Sequence, residues 1–371
     1  MPEPVRVGLL VDSDAFGGAE VYVRQLLRRL PAHFRRRLVV AEPVAPHFRD
    51  LHALCEDVTV VPLLRGRDPG HATASLLAGH AVDVWHVNLV DPGSNRAALA
   101  AASALAPTVA TLHMPGHAHD ATVALRALYG GLTTVIAVSR EIAETVRERF
   151  GVPGDRVVRV RNGVDVPPRA APPVRASGGT PCRIGAVGRL TEQKGFDVLV
   201  GAVARLVAEG HPITVEVAGD GRDRAALERA AAGLPVRFHG FVADVPAFLR
   251  GLDVFCLPSR REALSLALLE AMAHALPCVT TPVGDVTEVL GDTVVTVPVD
   301  DPAALARALG GLVADPERAR RLGLRARRLA VGGLDAAGMV AATADVLAAA
   351  AASAQPSSAR AAATTVPGAS A

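Results

Sequence analysis

Short apolar or β-branched runs alternate along the whole chain with longer segments whose apolar positions recur every three or four residues. That alternation is the signature of βαβ units and parallel sheets. In the first half it predicts strands over 5–11, 36–41, 57–61, 82–87, 108–112, 134–138 and 157–160. Helices are predicted between them near 18–30, 71–79, 94–105, 121–130 and 139–150. The last of these opens on Ser139 as an N-cap, with Glu141 and Glu144 in its first turns. Residues 167–181 read PPRAAPPVRASGGTP and cannot build a core, so they mark a linker between domains.

A second series follows, with strands over 182–187, 213–218, 236–239, 253–257 and 277–281. Its helices are predicted at 195–209, 222–232, 243–250, 264–275, 301–313 and 316–330. The expected architecture is α/β: an N-terminal Rossmann-like domain over 1–166, the linker 167–181, and a second such domain over 182–333. Residues 334–350, nearly all Ala, Leu, Val and Gly, are read as a helix returning to the first domain, loosely docked because it lacks anchoring aromatics. The Ala, Ser, Thr and Pro residues of 351–371 are expected to be disordered. Two α/β halves joined by a linker place a ligand in the cleft between them, at the carboxyl ends of the strands.

Composition narrows the picture modestly. A chain of 371 residues, half of them hydrophobic, suits two packed cores. The 39 basic and 37 acidic residues nearly cancel and aromatics are 3% of the chain, which disfavours a nucleic-acid partner. Cys55, Cys182, Cys256 and Cys278 are scattered, form no C-x-x-C pair and read as reduced structural thiols, not a metal site. Val7–Val11 reads as a first strand and not a secretory signal, and no run approaching ~18 apolar residues is evident, so a cytoplasmic protein is expected.

Candidate chemistry lies in three strand-to-helix loops. In Gly188-Arg189-Leu190-Thr191-Glu192-Gln193-Lys194-Gly195, two glycines allow a tight turn and two cations stand beside a helix N-terminus. Such an N-terminus already favours anions, and a guanidinium and an ammonium strengthen it for a diphosphate. Read alone, the segment is a solvated loop, and its spacing is not that of a P-loop. Gly219-Asp220-Gly221 would let the backbone approach a phosphate or ribose, or is simply a tight turn. In the third loop, Glu262 precedes a helix and Glu270 lies within it, eight positions later. Leu264, Leu268 and Met272 have helical spacing and should pack inward. Carboxylates in so apolar a stretch need partners, which sugar and ribose hydroxyls would supply.

Together these motifs resemble those of the retaining family-4 glycosyltransferases of GT-B fold. Gly17-Gly18-Ala19-Glu20 after the first strand, Thr111-Leu112-His113 and Asn162-Gly163-Val164-Asp165 fit as well, in the expected order from about Val5 to Gly310. The resemblance implies transfer of a sugar from a nucleoside diphosphate sugar, with uridine favoured as its base. It implies that Arg189 and Lys194 neutralise the donor diphosphate, with Gly17 and Gly18 on its other side. Glu270 would bind the ribose, and Glu262 the sugar hydroxyls beside Ala263, Leu264 and Ser265. Gly219 and the turn at Val242 would border the nucleotide, and His113 would reach the sugar near its anomeric carbon. Taken alone, a strand-end histidine is more often structural. The chain departs from the family's usual glycines at Ala263 and Ala275 and from a bulkier ring at Leu264.

Two cations at the diphosphate make a metal unnecessary in this reading, and no Asp-x-Asp motif is visible. The acceptor, unidentified, is expected against His86, Asn88 and His117 of the first domain. Alternatives are a nucleotide-sugar epimerase of the same fold and a non-catalytic nucleotide-sugar-binding partner. A nicotinamide enzyme is disfavoured, because no G-x-G-x-x-G follows either domain's first strand. Residues 18–37 carry Arg24, Arg28, Arg29, Arg35, Arg36 and Arg37 against the acid Glu20. They are read either as a solvated helix end or as a basic face for anionic membrane or a phosphorylated acceptor.

Overall fold

The computed structural model describes residues 3–64, 71–116, 122–170 and 180–353. In the N-terminal half, β1 (Val5–Val11), α1 (Gly18–Arg29), β2 (Phe34–Ala41), a 3₁₀ helix (Ala45–Leu54) and β3 (Asp57–Val61) are followed by α2 (His71–Ala78) and β4 (Val84–Leu89). Next come α3 (Arg96–Leu105), β5 (Thr108–Leu112), α4 (Val123–Gly130), β6 (Thr134–Ala137), α5 (Arg140–Phe150) and β7 (Val157–Arg159). The strands form one parallel sheet in the order β3-β2-β1-β4-β5-β6-β7. Its strands read as continuous Val, Leu and Ile runs because helices cover both faces.

The second half repeats the plan with β8 (Cys182–Val187), α6 (Phe196–Ala208), β9 (Ile213–Ala218), α7 (Arg224–Ala230), β10 (Val236–Gly240), α8 (Val245–Arg250) and β11 (Val254–Leu257). Then follow α9 (Leu266–Ala273), β12 (Cys278–Thr280), a π-helical turn (Val286–Leu290), β13 (Val295–Thr296), α10 (Pro302–Ala314), α11 (Pro316–Gly333) and α12 (Ala336–Ser353). These strands make a parallel sheet in the order β10-β9-β8-β11-β12-β13. Asp301 and Asp315 cap α10 and α11, each followed by a proline in the first turn, where the missing N–H costs nothing.

Two differences from the sequence reading have local causes. Helix α9 starts and stops two residues inside the expected 264–275, because Glu262 to Ser265 form a loop held by other elements and Ala275 leaves the helix with φ of 60°. A left-handed alanine carries about 1 kcal/mol of strain, which a glycine at this position would avoid. The arginine run is split, since β2 already begins at Phe34 and takes Arg35, Arg36 and Arg37 into the sheet.

That split also corrects the picture of a bare basic face. Arg24 and Arg28 pair with Asp50, Arg29 with Asp165, and Arg35 and Arg37 with Glu56, while Arg36 donates to the carbonyl of Leu30. The counter-charges come from outside the segment, so all six arginines have protein acceptors. Glu20, the acid within it, is buried and serves the N-terminus of α1 instead.

The chain crosses between domains twice, side by side. Val164 donates to Leu334 O at 3.0 Å, and Ala336 donates to Val164 O at 2.9 Å. After the second crossing α12 packs on the first domain, where Met339, Val340, Ala344 and Leu347 join the core of β1, β2 and α1. The small alanines let its backbone approach closely, and Tyr22 Oη meets Thr343 Oγ1 at 2.6 Å. With 18 residues and an apolar composition, this helix also corrects the expectation of no run long enough to span a membrane. Eight of its residues are buried in the protein.

Candidate active site in the interdomain cleft

Strand order reverses between β1 and β4 in one sheet and between β8 and β11 in the other. At such switch points neighbouring loops diverge and leave a crevice at the strand carboxyl ends. The segments that leave β1, β8 and β11 carry Asp12 to Gly18, Gly188 to Gly195 and Pro258 to Ser265, and Asn88 stands next to the last residue of β4. They hold most of the residues singled out above.

The cationic part is built on the β8 loop. Lys194 Nζ lies 2.5 Å from Glu262 Oε1, which also accepts from Ser259 Oγ at 2.8 Å. Both charged side chains are largely buried, so the pair fixes each other's position. Sequence reasoning gave these residues separate ligands, and the structure joins them. Arg189 is exposed, with no ion pair among the described residues; burial raises the Glu20 carboxyl across the cleft, and the Arg189 charge is a minor opposing influence. Helix α6 itself begins only at Phe196, after a 3₁₀ turn and left-handed Gly195.

Gly18, the first residue of α1, lies against Leu266, the first residue of α9; a Cβ on it would stand 3.5 Å from Leu266 Cδ1. Two helix N-termini, one per domain, thus meet beside Arg189 and Lys194. Glu20 steadies the first by accepting from Gly17 N at 2.7 Å and Ser13 Oγ at 2.5 Å. Free helix N–H groups beside the exposed guanidinium of Arg189 favour negative charge there, while the charge of Lys194 is engaged by Glu262.

Behind Glu262, the loop is anchored by its carbonyls. Asp285 N donates to Ala263 O at 2.8 Å, and Asn162 Nδ2 donates to Leu264 O at 2.9 Å. In a trans peptide C=O and N–H point oppositely, so the N–H groups of Leu264 and Ser265 turn away from those anchors. The side chains of Ala263 and Leu264 are themselves buried, which leaves the backbone as the part a donor could touch. Glu270, within α9, has no hydrogen-bonded cation among the described residues. Burial, with Asp165 adding to it, pushes its carboxyl up to about 7.

In the N-terminal domain, His113 directly follows β5, with Nε2 2.9 Å from Asn88 Oδ1. An amide oxygen only accepts, so Nε2 carries the proton and Nδ1 is left as an acceptor. Burial, with His86 adding to it, pushes His113 down to about 3, and the ring works neutral. His86 and Asn88 are fully buried, which corrects their assignment as acceptor contacts. His86 bonds Thr111 beneath the site, and Asn88 is held by Asn95 through its carbonyl. Tyr22 packs edge-on against His113, with ring centroids 5.1 Å apart. His117 lies outside the described residues.

Beside β9 and β10, glycines serve the packing of loops on each other. A Cβ at Gly219 would stand 1.9 Å from Gly188 O, and one at Gly221 2.4 Å from Leu190 O. Gly219 N bonds Gly240 O, which sets the turn leading to half-buried Val242. Sequence reasoning did not single out Phe16, which stacks on His47 and meets Phe241 of the other domain edge-on at 6.3 Å. Asp285, also missed, appears in sequence only as a Gly-Asp turn after a strand.

Comparison with known proteins then adds identity to geometry. The profile described as Glycosyltransferase Family 4 matches residues 16–167, and that described as Glycosyl transferases group 1 matches residues 181–315. A GDP-mannose-dependent α-(1-6)-phosphatidylinositol dimannoside mannosyltransferase of Mycobacterium tuberculosis is 36% identical over 191 residues, covering 49% of this chain and 50% of that protein. A lipopolysaccharide core biosynthesis mannosyltransferase of Rhizobium leguminosarum is 34% identical, covering 46% of this chain and 53% of that protein. The matched region thus spans about half the length of these curated relatives. The crystal structure of Anabaena HepE with UDP and glucose superposes with a TM-score of 0.77 at 20% identity, over 93% of this chain and 99% of that one. Its likeness shows the GT-B fold.

Proposed function

The chain belongs to the group 1, family 4 glycosyltransferases, and from that premise we propose that it transfers a sugar from a nucleoside diphosphate sugar to an acceptor hydroxyl, with retention at the anomeric carbon. The observation that carries this reading is the meeting of two helix N-termini beside Arg189 and the Lys194–Glu262 pair. As the bond from the anomeric carbon to the diphosphate breaks, negative charge grows on the leaving oxygens, and this is where Arg189 and Lys194 act. The acceptor oxygen bonds to the anomeric carbon, and its proton passes to the leaving phosphate oxygen. Glu262 orients sugar hydroxyls, and its engagement with Lys194 ties sugar position to diphosphate position. Neutral His113 offers Nδ1 to a sugar hydroxyl.

The test is a screen of radiolabelled nucleotide sugars against crude extract acceptors, starting with GDP-mannose and UDP-glucose, named in the relatives and in a HepE crystal structure. Failure to form any glycoside with any donor would overturn the assignment. In the same assay, excess chelator should leave the rate nearly unchanged, because protein cations neutralise the diphosphate. A strict requirement for magnesium or manganese would remove Arg189 and Lys194 from that role.

Glu270 gives a pH-dependent expectation. As the acceptor of ribose hydroxyls it must be ionised, so donor KM should rise as pH falls below about 7. The stability effect runs the other way. A carboxyl raised in the folded state costs stability as pH climbs from its unfolded value near 4.5 to about 7. Glu270→Gln should therefore be more stable to unfolding than the parent at pH 8, by up to about 3 kcal/mol, while matching it at pH 4 and binding donor poorly. A variant destabilised at pH 8 would contradict the burial argument.

A further inference from the structure

Asp285 joins parts of the molecule that the reaction needs to keep in register. Its backbone N–H holds Ala263 O in the sugar loop at 2.8 Å. Its carboxylate crosses the cleft and accepts from Arg140 N, the first N–H of α5, at 3.0 and 3.1 Å through its two oxygens. Ser139 takes a different N–H of the same helix end, that of Ile142, so Asp285 supplies a cap that the first domain lacks. The residue is 3% exposed, and its carboxylate has these contacts only while the domains are together.

Neighbouring residues reinforce the contact. Glu288, one turn on, pairs with Arg140 at 2.8 Å and Arg159 at 2.7 Å, with Arg161 at 3.5 Å. All three arginines belong to the first domain. Gly284, with φ of 58°, presses its backbone under the sugar loop so closely that a Cβ would stand 2.1 Å from Ala263 O and 2.3 Å from Glu262 O. The segment 284–288 is thus seated on the sugar loop on one side and on the acceptor-side domain on the other.

We propose that Asp285 is a positioning residue: by capping α5 across the cleft it locks the domains together and, through its own N–H, sets the sugar loop that carries Glu262 in working register only in the closed form. Opening the cleft strips the N-terminus of α5 of its acceptor and exposes a carboxylate that was hydrogen-bonded. Closure therefore moves the loop carrying Glu262 and the helix beside the acceptor as one connected unit. The kinetic consequence rests on the glycosyltransferase reading, whereas the mechanical one does not.

The test pairs kinetics with a distance measurement. Spin labels at Glu148→Cys in α5 and Arg229→Cys in α7, in a Cys55→Ser background, read the separation of the domains by pulsed EPR; both labelled positions are exposed. Asp285→Ala should broaden the distance distribution toward longer separations. It should also lower kcat between about tenfold and a hundredfold, the scale of a misplacement near 1 Å, with donor KM changed by less than about threefold. Asp285→Asn keeps an oxygen that accepts from Arg140 N and should restore both readouts in large part. If the alanine variant does not fold, Asp285→Asn combined with Glu288→Gln should show a milder broadening on the same labels. An unchanged distribution in Asp285→Ala overturns the proposal, and so does lost activity at unchanged distance, which would place the effect within one domain. Because the distances need no substrate, failure of the lock and failure of the assigned reaction give different results.

Discussion

Replacing Lys194 with alanine should lower kcat by about 10³-fold or more, the largest single effect on the reaction. Loss of a preorganised group that stabilises transition-state charge costs on the order of 4 kcal/mol of barrier, and each 1.4 kcal/mol is a factor of ten. The substitution also leaves Glu262 buried beside Ser259 without its cation, which destabilises the fold on its own account. The two consequences separate in a double variant. Glu262→Gln added to Lys194→Ala removes the stranded charge and should recover thermal stability without recovering kcat. Recovery of the rate as well would mean that Lys194 serves only to neutralise Glu262, and the charge-stabilising role would be lost.

Gly219→Ala should be the most damaging single change to stability, about 4 kcal/mol, read as a fall in the urea midpoint at unchanged slope. Its φ of 135° is a conformation that residues with a Cβ rarely adopt, and the added methyl would meet Gly188 O at 1.9 Å. Backbone faces backbone there, so no side chain can swing aside, and Arg189 would shift with its neighbour. Gly233→Ala is the control. That glycine has φ of 81° but open space around it, so it should cost only about 1–2 kcal/mol. Equal losses at both sites would show that backbone conformation alone, and not loop-on-loop contact, sets the cost.

The α/β plan was legible because helix and strand periods differ and each element is long enough to show its own. What escaped was β13, whose two residues expose no period at all, and the irregular helical pieces Ala45–Leu54 and Val286–Leu290, whose 3₁₀ and π geometry does not follow the 3.6-residue period. The site was legible where it is sequential: Arg189 and Lys194 share one loop, and Glu262 and Glu270 flank one helix start. Contacts between loops were not. Nothing local marks Asn162 as the donor to Leu264 O or Asp285 as the cap of α5, since each depends on where the other domain lies. The same blindness left a solvated helix end and a basic face both open for the six arginines, because Asp50, Glu56 and Asp165 are distant in sequence. His86 and Asn88 were found by type and misjudged by depth. Alternation within a strand says which face a residue takes, but both faces of this sheet are covered.

The docking of α12 has a consequence for synthesis. The first domain is discontinuous: its sheet is complete by Arg159, yet Met339, Val340, Ala344 and Leu347, which cover Val7, Leu9 and Tyr22, come after the whole second domain. About 180 residues separate the two pieces, so at roughly 5–20 residues per second the nascent chain carries an uncovered apolar face for on the order of ten seconds or longer. The second domain, encoded without interruption, can finish first despite emerging later from the ribosome. A truncation that removes α12 would leave the first domain in that nascent state permanently, with its aggregation hazard.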